Sequence, residues 1–256
     1  MVHGIESFRK WFADYSDQYV IIGGTACDLL MTQDDFDFRA TRDIDMVLIL
    51  ESLTSEFGAH FWQYVCEAGY EHCNKSTGEP QFYRFSHPAS GNYPFMIELF
   101  SRRSERIQLP ESAHLTPLPL DDEISSLSAI LMDEEYYRFL LKGRIVLDGI
   151  PILDAGYLIP FKIRAYLDLS ERKANGEAVD SKDIRKHKND VIRLSVLLTG
   201  DARILVSHEI YADIEKFLEE AENSKIDVKQ FGIRNQSQSE VIERIRNAYI
   251  KESQPE

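Results

Sequence analysis

Apolar residues follow two rhythms along this chain. Ile5, Phe8, Trp11 and Phe12 recur at spacings of three and four, which predicts an amphipathic helix over residues 5–16. The continuous run Tyr19-Val20-Ile21-Ile22 predicts a strand over 18–23, followed by a Gly23-Gly24 turn and a helix over 25–32. Asp34-Asp35-Phe36-Asp37 reads as a polar loop. Over 43–50 side chains alternate as in a strand, with Asp43 and Asp45 on one face and Ile44, Met46 and Leu48 on the other. Phe57, Phe61, Tyr64, Val65 and Ala68 return to helical spacing over 54–68, and Gly69 ends it. Residues 81–85 and 95–100 flank the turn-rich stretch His87-Pro88-Ala89-Ser90-Gly91-Asn92 and predict a hairpin.

Beyond the proline punctuation at 117–120 the pattern becomes mostly helical. Asp121-Asp122 caps a helix that runs through Leu127, Ile130, Leu131 and Phe139 to Lys142-Gly143. A small hairpin over 145–153 turns at Asp148-Gly149. Helices follow over 155–174 and 181–199, separated by Asn175-Gly176, and then over 202–222 and 237–251, before a frayed tail at 252–256. The expected class is α+β, with a mixed sheet flanked by helices in residues 1–120 and a mainly helical domain in 121–256.

Composition changes this picture little. The 256 residues, 43% hydrophobic and 28% charged, suit a globular protein with ample core. The net charge of −14 argues against non-specific binding to nucleic-acid backbones. Lys182, Arg185, Lys186, Lys188 and Arg193 form a local basic cluster, which suits either a tRNA-like substrate or a solvated helix face. No run of 18 apolar residues predicts a membrane span, and Met1-Val2-His3-Gly4-Ile5-Glu6 does not read as a secretory signal. Three cysteines, Cys27, Cys66 and Cys73, without Cys-x-x-Cys spacing fit a reducing, cytoplasmic setting. Cys66, His72 and Cys73 read as plain thiols and a histidine rather than as a zinc site.

The acidic strand carries the chemistry. Asp43 and Asp45 side by side repel each other, and a divalent cation such as Mg²⁺ offsets that repulsion. Two glycines at a strand-to-helix turn let a phosphate approach the free N–H groups of a helix N-terminus. Glu98, mid-strand between Ile97 and Leu99, calls for an ionic partner or a metal. Lys162 and Tyr166, four residues apart, share one helix face.

Together these stretches resemble the signature of the nucleotidyltransferase superfamily with the polymerase β-like fold: an apolar residue, Gly-Gly or Gly-Ser, a spacer, then Asp-x-Asp. The form Arg39-x-Thr41-x-Asp43-Ile44-Asp45 is most similar to the AbiEii-type group, which includes abortive-infection and toxin–antitoxin nucleotidyltransferases. The resemblance covers most of residues 18–195 and is most specific at the acidic strand. It implies Mg²⁺-dependent transfer of a nucleoside monophosphate from a nucleoside triphosphate to an acceptor hydroxyl. Asp43, Asp45 and Glu98 become the catalytic and metal-holding residues, with two ions. Gly23, Gly24, Thr25, Arg39, Lys162, Tyr166 and Asp183 become nucleotide contacts.

Lys162 and Ala165 match the group's Lys-x-x-Ala element. Leu169 stands where an arginine is common, with Arg172 the nearest alternative. Lys182-Asp183 matches the start of an Arg/Lys-Asp-x-x-Asp element, whose last aspartate is replaced by Lys186, with Asp190 as a substitute. The implied acceptor is RNA, especially tRNA, or a protein, and a toxin role implies an antitoxin partner. The alternatives are a small-molecule nucleotidyltransferase acting on an antibiotic and a non-catalytic interaction protein that retains the fold.

Overall fold

Four consecutive buried residues make Tyr19–Ile22 (β1) an interior strand, since a strand covered on both faces must be apolar throughout. In the computed structural model, which describes residues 2–71, 84–101, 130–131 and 133–253, β1 lies between two partners. Asp43–Leu48 (β2) pairs with it antiparallel and, further along the chain, Ile150–Leu153 (β6) pairs with it parallel. Arg84–Ser86 (β3), Met96–Phe100 (β4) and Arg144–Leu147 (β5) complete a mixed sheet in the order β3-β4-β2-β1-β6-β5. The class is therefore α+β.

The chain divides into two units. The first holds Met1–Thr32, Arg39–Pro119 and Arg144–Leu153; the second holds Gln33–Phe38, Leu120–Gly143 and Asp154–Glu256. The hairpin over 145–153 lies on the helical side of a boundary near 120 in the sequence reading. Its strand β6 instead hydrogen-bonds to β1, so the hairpin belongs to the first unit's sheet. The reason is its burial: Ile150, Ile152 and Leu153 are fully enclosed, and a two-stranded ribbon alone offers nothing to enclose them.

The first unit's core is aromatic. Phe8 and Phe12 at the end of the first helix, Ile5–Trp11 (α1), meet Phe57, Phe61 and Tyr64 of Ser55–Ala68 (α3), with ring centroids from 5.2 to 6.1 Å apart. Thr54 caps α3 and Gly69, left-handed at φ 65°, ends it. Tyr19 packs against this cluster, yet its buried hydroxyl makes no hydrogen bond among the described residues. Burial pushes that phenol far above its ordinary range. Tyr19→Phe should accordingly leave stability unchanged or raise it by up to about 1 kcal/mol, measured as a urea midpoint. A loss beyond about 1 kcal/mol would mean that the hydroxyl has a partner.

The second unit is built from Glu134–Lys142 (α4), Ala155–Ala174 (α5), Ser181–Leu194 (α6), His208–Glu222 (α7) and Gln238–Ala248 (α8). Asp133, Asp154, Asp180, Ser207 and Ser237 each accept a backbone N–H at the start of one of these helices. The cap expected at Asp121-Asp122 and the first part of that helix lie outside the described residues, as do Gln81-Phe82-Tyr83, His72 and Cys73.

One expected helical start, in 202–222, and one expected helical end, in 237–251, are strands. Ile204–Val206 (β7) and Tyr249–Lys251 (β8) pair in parallel, because the Ser207 cap forces an extended backbone before α7 and Tyr249 leaves α8 extended. Among the described residues no helix is long and apolar enough to cross a membrane.

Candidate functional site

The register of the sheet sets three acidic side chains on one face. Ile22 on β1 faces Asp45 on β2, Asp45 faces Glu98 on β4, and Glu98 faces Arg84 on β3. Residues opposite one another across strands point to the same side, so Asp45, Glu98 and Arg84 form one row over the sheet. Asp43, two residues before Asp45, shares that face. The even-numbered Ile44 and Met46 are fully buried on the other side, which pins the register.

The glycine turn closes on this row. Gly23, at φ 70°, opens the helix Gly23–Gln33 (α2), and a Cβ added there would stand 1.7 Å from Asp45 Oδ2. A Cβ on Gly24 would stand 2.7 Å from Thr41 Oγ1 and 3.4 Å from an Arg39 guanidinium nitrogen. The bare faces of the two glycines, expected to admit a phosphate, hold this chain's own Asp45, Thr41 and Arg39. Asp45 lies against the N-terminal end of α2, where the helix dipole favours a negative charge. Thr25, expected among the phosphate contacts, is fully buried, and its hydroxyl donates to the Asp43 carbonyl at 2.5 Å. It ties the start of α2 to the start of β2.

Glu98 is 7% exposed. Arg84 Nε donates to Glu98 Oε1 at 2.7 Å. Burial raises the Glu98 carboxyl above its ordinary range; the Arg84 charge and hydrogen bond lower it, the Asp43 charge raises it, and a hydrogen bond with Asp45 lowers it, for a net rise. Arg84 escapes a reading by motif because it lies in no signature stretch. Its signal was the strand alternation beside Phe85, placed across the hairpin from Glu98. Asp28, 7% exposed among Ala26, Cys27, Leu29 and Leu30 of α2, is a second buried carboxylate, outside the signature stretches.

Among the described residues, no three His, Cys, Asp or Glu side chains are placed as they stand to hold a metal ion. The donor chemistry nevertheless fits a hard divalent cation: Asp43, Asp45 and Glu98 offer carboxylate oxygens, the ligands that Mg²⁺ takes. A cationic group, the Arg84 guanidinium, already sits at Glu98. Asp43 and Asp45 are half-buried, which leaves them accessible.

The other expected contacts lie in the second unit. Lys162 on α5 is 6% exposed and its Nζ stands 3.3 Å from Asp190 Oδ2 on α6. Asp190 is fully buried, and Arg193 Nη1 stands 3.6 Å from its other oxygen. Lys162 was expected as a counter-charge for phosphate; its ammonium is matched instead by a buried carboxylate of its own unit. Asp190, expected as the substitute for a motif aspartate at Lys186, is that carboxylate.

The Arg193 guanidinium lies 4.9 Å from the Phe231 ring centroid, a cation–π contact, so this member of the basic cluster is not a free surface charge. Tyr166, expected to stack on a base, donates from its hydroxyl to Glu220 at 2.9 Å and sets its ring edge-on to Phe217. Burial and the Glu220 carboxylate push its phenol up to about 12. Asp183 is half-buried near the start of α6. Cys27 is buried and Cys66 exposed. In comparisons with known proteins, no family model matches the chain and no curated protein matches it.

Proposed function

We propose that this chain is a divalent-cation-dependent nucleotidyltransferase that moves a nucleoside monophosphate from a nucleoside triphosphate to an acceptor hydroxyl. The observation that carries the proposal is the row across the sheet: Asp45 and Glu98 in register, Asp43 on the same face, and the Gly23-Gly24 turn closed onto Asp45. The resemblance to the AbiEii-type nucleotidyltransferases rests on these same residues.

Asp43 and Asp45 would hold Mg²⁺, which when bound neutralises triphosphate charge and favours the attacking oxygen. Glu98 is the proton acceptor for the acceptor hydroxyl, with Arg84 within hydrogen-bonding distance of its carboxylate. The hydroxyl oxygen bonds to the α-phosphorus. The bond from that phosphorus to the bridging oxygen breaks, and pyrophosphate leaves with the electron pair. Arg39, beside the N-terminus of α2, offers a planar fork to the departing phosphates. Alignment of the two reactants and neutralisation of charge are the two terms such a site supplies.

The acceptor is an RNA, with tRNA the first candidate, or a protein, and an antitoxin partner belongs to the same reading. The test is incubation with total tRNA and cell protein, each with the four α-labelled nucleoside triphosphates in turn. One polymer should become labelled, and Asp43→Ala or Asp45→Ala should each abolish the label. Unchanged labelling in both variants refutes the assignment.

A further inference from the structure

We infer that Arg84 is a positioning residue that takes the place of a cation at Glu98. A two-ion site needs Glu98 free to share a second metal. Here its carboxylate is 7% exposed and Arg84 Nε donates to it at 2.7 Å from the neighbouring strand. The register makes this contact structural: Arg84 and Glu98 are directly opposite on β3 and β4, so the guanidinium meets the carboxylate without any loop rearrangement.

A guanidinium supplies one fixed positive charge and planar donors, which hold a carboxylate in one orientation. It supplies no open coordination position. The chain therefore carries its second cation as a side chain, and a soluble divalent ion is left with Asp43 and Asp45. In the proton transfer, Arg84 acts through Glu98 by holding the carboxylate in one orientation.

This inference rests on the cation reading of the acidic strand, and the experiment separates the two. Free Mn²⁺ is titrated against the full-length protein by electron paramagnetic resonance, with a melting temperature recorded for each variant. Arg84→Gln leaves Glu98 without its counter-charge, and Mn²⁺ should then bind at least about tenfold tighter than to the wild type, or with one additional ion. Arg84→Lys retains the charge and should bind Mn²⁺ as the wild type does.

The double variant Arg84→Gln with Glu98→Gln should return to wild-type binding. That return shows that the gained affinity belongs to Glu98 and not to a loosened fold. Equal Mn²⁺ affinity and stoichiometry in wild type and Arg84→Gln overturns the inference. Should Arg84→Gln fail to fold, Arg84→Lys decides: additional Mn²⁺ bound to that variant overturns the inference, and wild-type binding supports it. Asp45→Asn in the Arg84-intact protein tests the cation reading by itself: loss of Mn²⁺ binding supports that reading, and unchanged binding counts against it without touching the Arg84 comparison.

Discussion

Asp190→Ala should lower the stability of the second unit by about 3–5 kcal/mol, read as a fall in the urea midpoint. Asp190 is fully buried and faces two cations, Lys162 at 3.3 Å and Arg193 at 3.6 Å. Its removal leaves the Lys162 ammonium, 6% exposed, without that carboxylate. Burying an uncompensated charge costs far more than losing an apolar contact of the same size. The pair joins α5 to α6, so the loss falls on the packing of those two helices. The double replacement of Lys162 by Met and Asp190 by Leu should recover most of the loss, since an ion pair and an apolar pair of similar volume differ little in stability. A loss below about 1 kcal/mol for Asp190→Ala would mean that Lys162 finds an equivalent partner.

Gly23→Ala should cost about 1–3 kcal/mol from backbone strain alone, because Ala at φ 70° adopts a left-handed conformation. The added methyl would also meet Asp45 Oδ2 at 1.7 Å, so either the carboxylate or the first turn of α2 must move. A displacement near 1 Å at a reacting group lowers activity on the order of 100-fold. Transfer activity should therefore fall about 100-fold at a temperature where the variant is still folded by circular dichroism. Gly24→Ala meets a side-chain hydroxyl that can rotate away at a longer distance, and should fall less. Full activity in folded Gly23→Ala would separate the glycine turn from the chemistry.

Much of the first unit was legible because its signals are local. A four-residue apolar run identifies β1, alternation orients Asp43 and Asp45, and the isolated charge between Ile97 and Leu99 identifies Glu98. What was not legible depends on partners distant in sequence. The hairpin at 144–153 looks self-sufficient, and only its pairing with β1 assigns it to the first unit. β7 and β8 are three residues each, too short for periodicity to register, and their pairing spans α7 and α8.

The sites divide in the same way. Gly23-Gly24 signals a close approach, but not that the approaching group is Asp45. Thr25 is expected as a phosphate contact by motif, and its hydroxyl instead donates to the Asp43 carbonyl. Lys162 is expected as a phosphate cation by its match to the Lys-x-x-Ala element, which says nothing of Asp190, its partner on another helix.

The row over the sheet is tested most directly by comparing label from α- and γ-labelled nucleoside triphosphate in wild type and Asp45→Asn. The account predicts that only α-label reaches the acceptor, with pyrophosphate released in equal amount, and that Asp45→Asn, folded as the wild type, transfers none. Transfer of γ-label, or α-label transfer by Asp45→Asn at the wild-type rate, would contradict it.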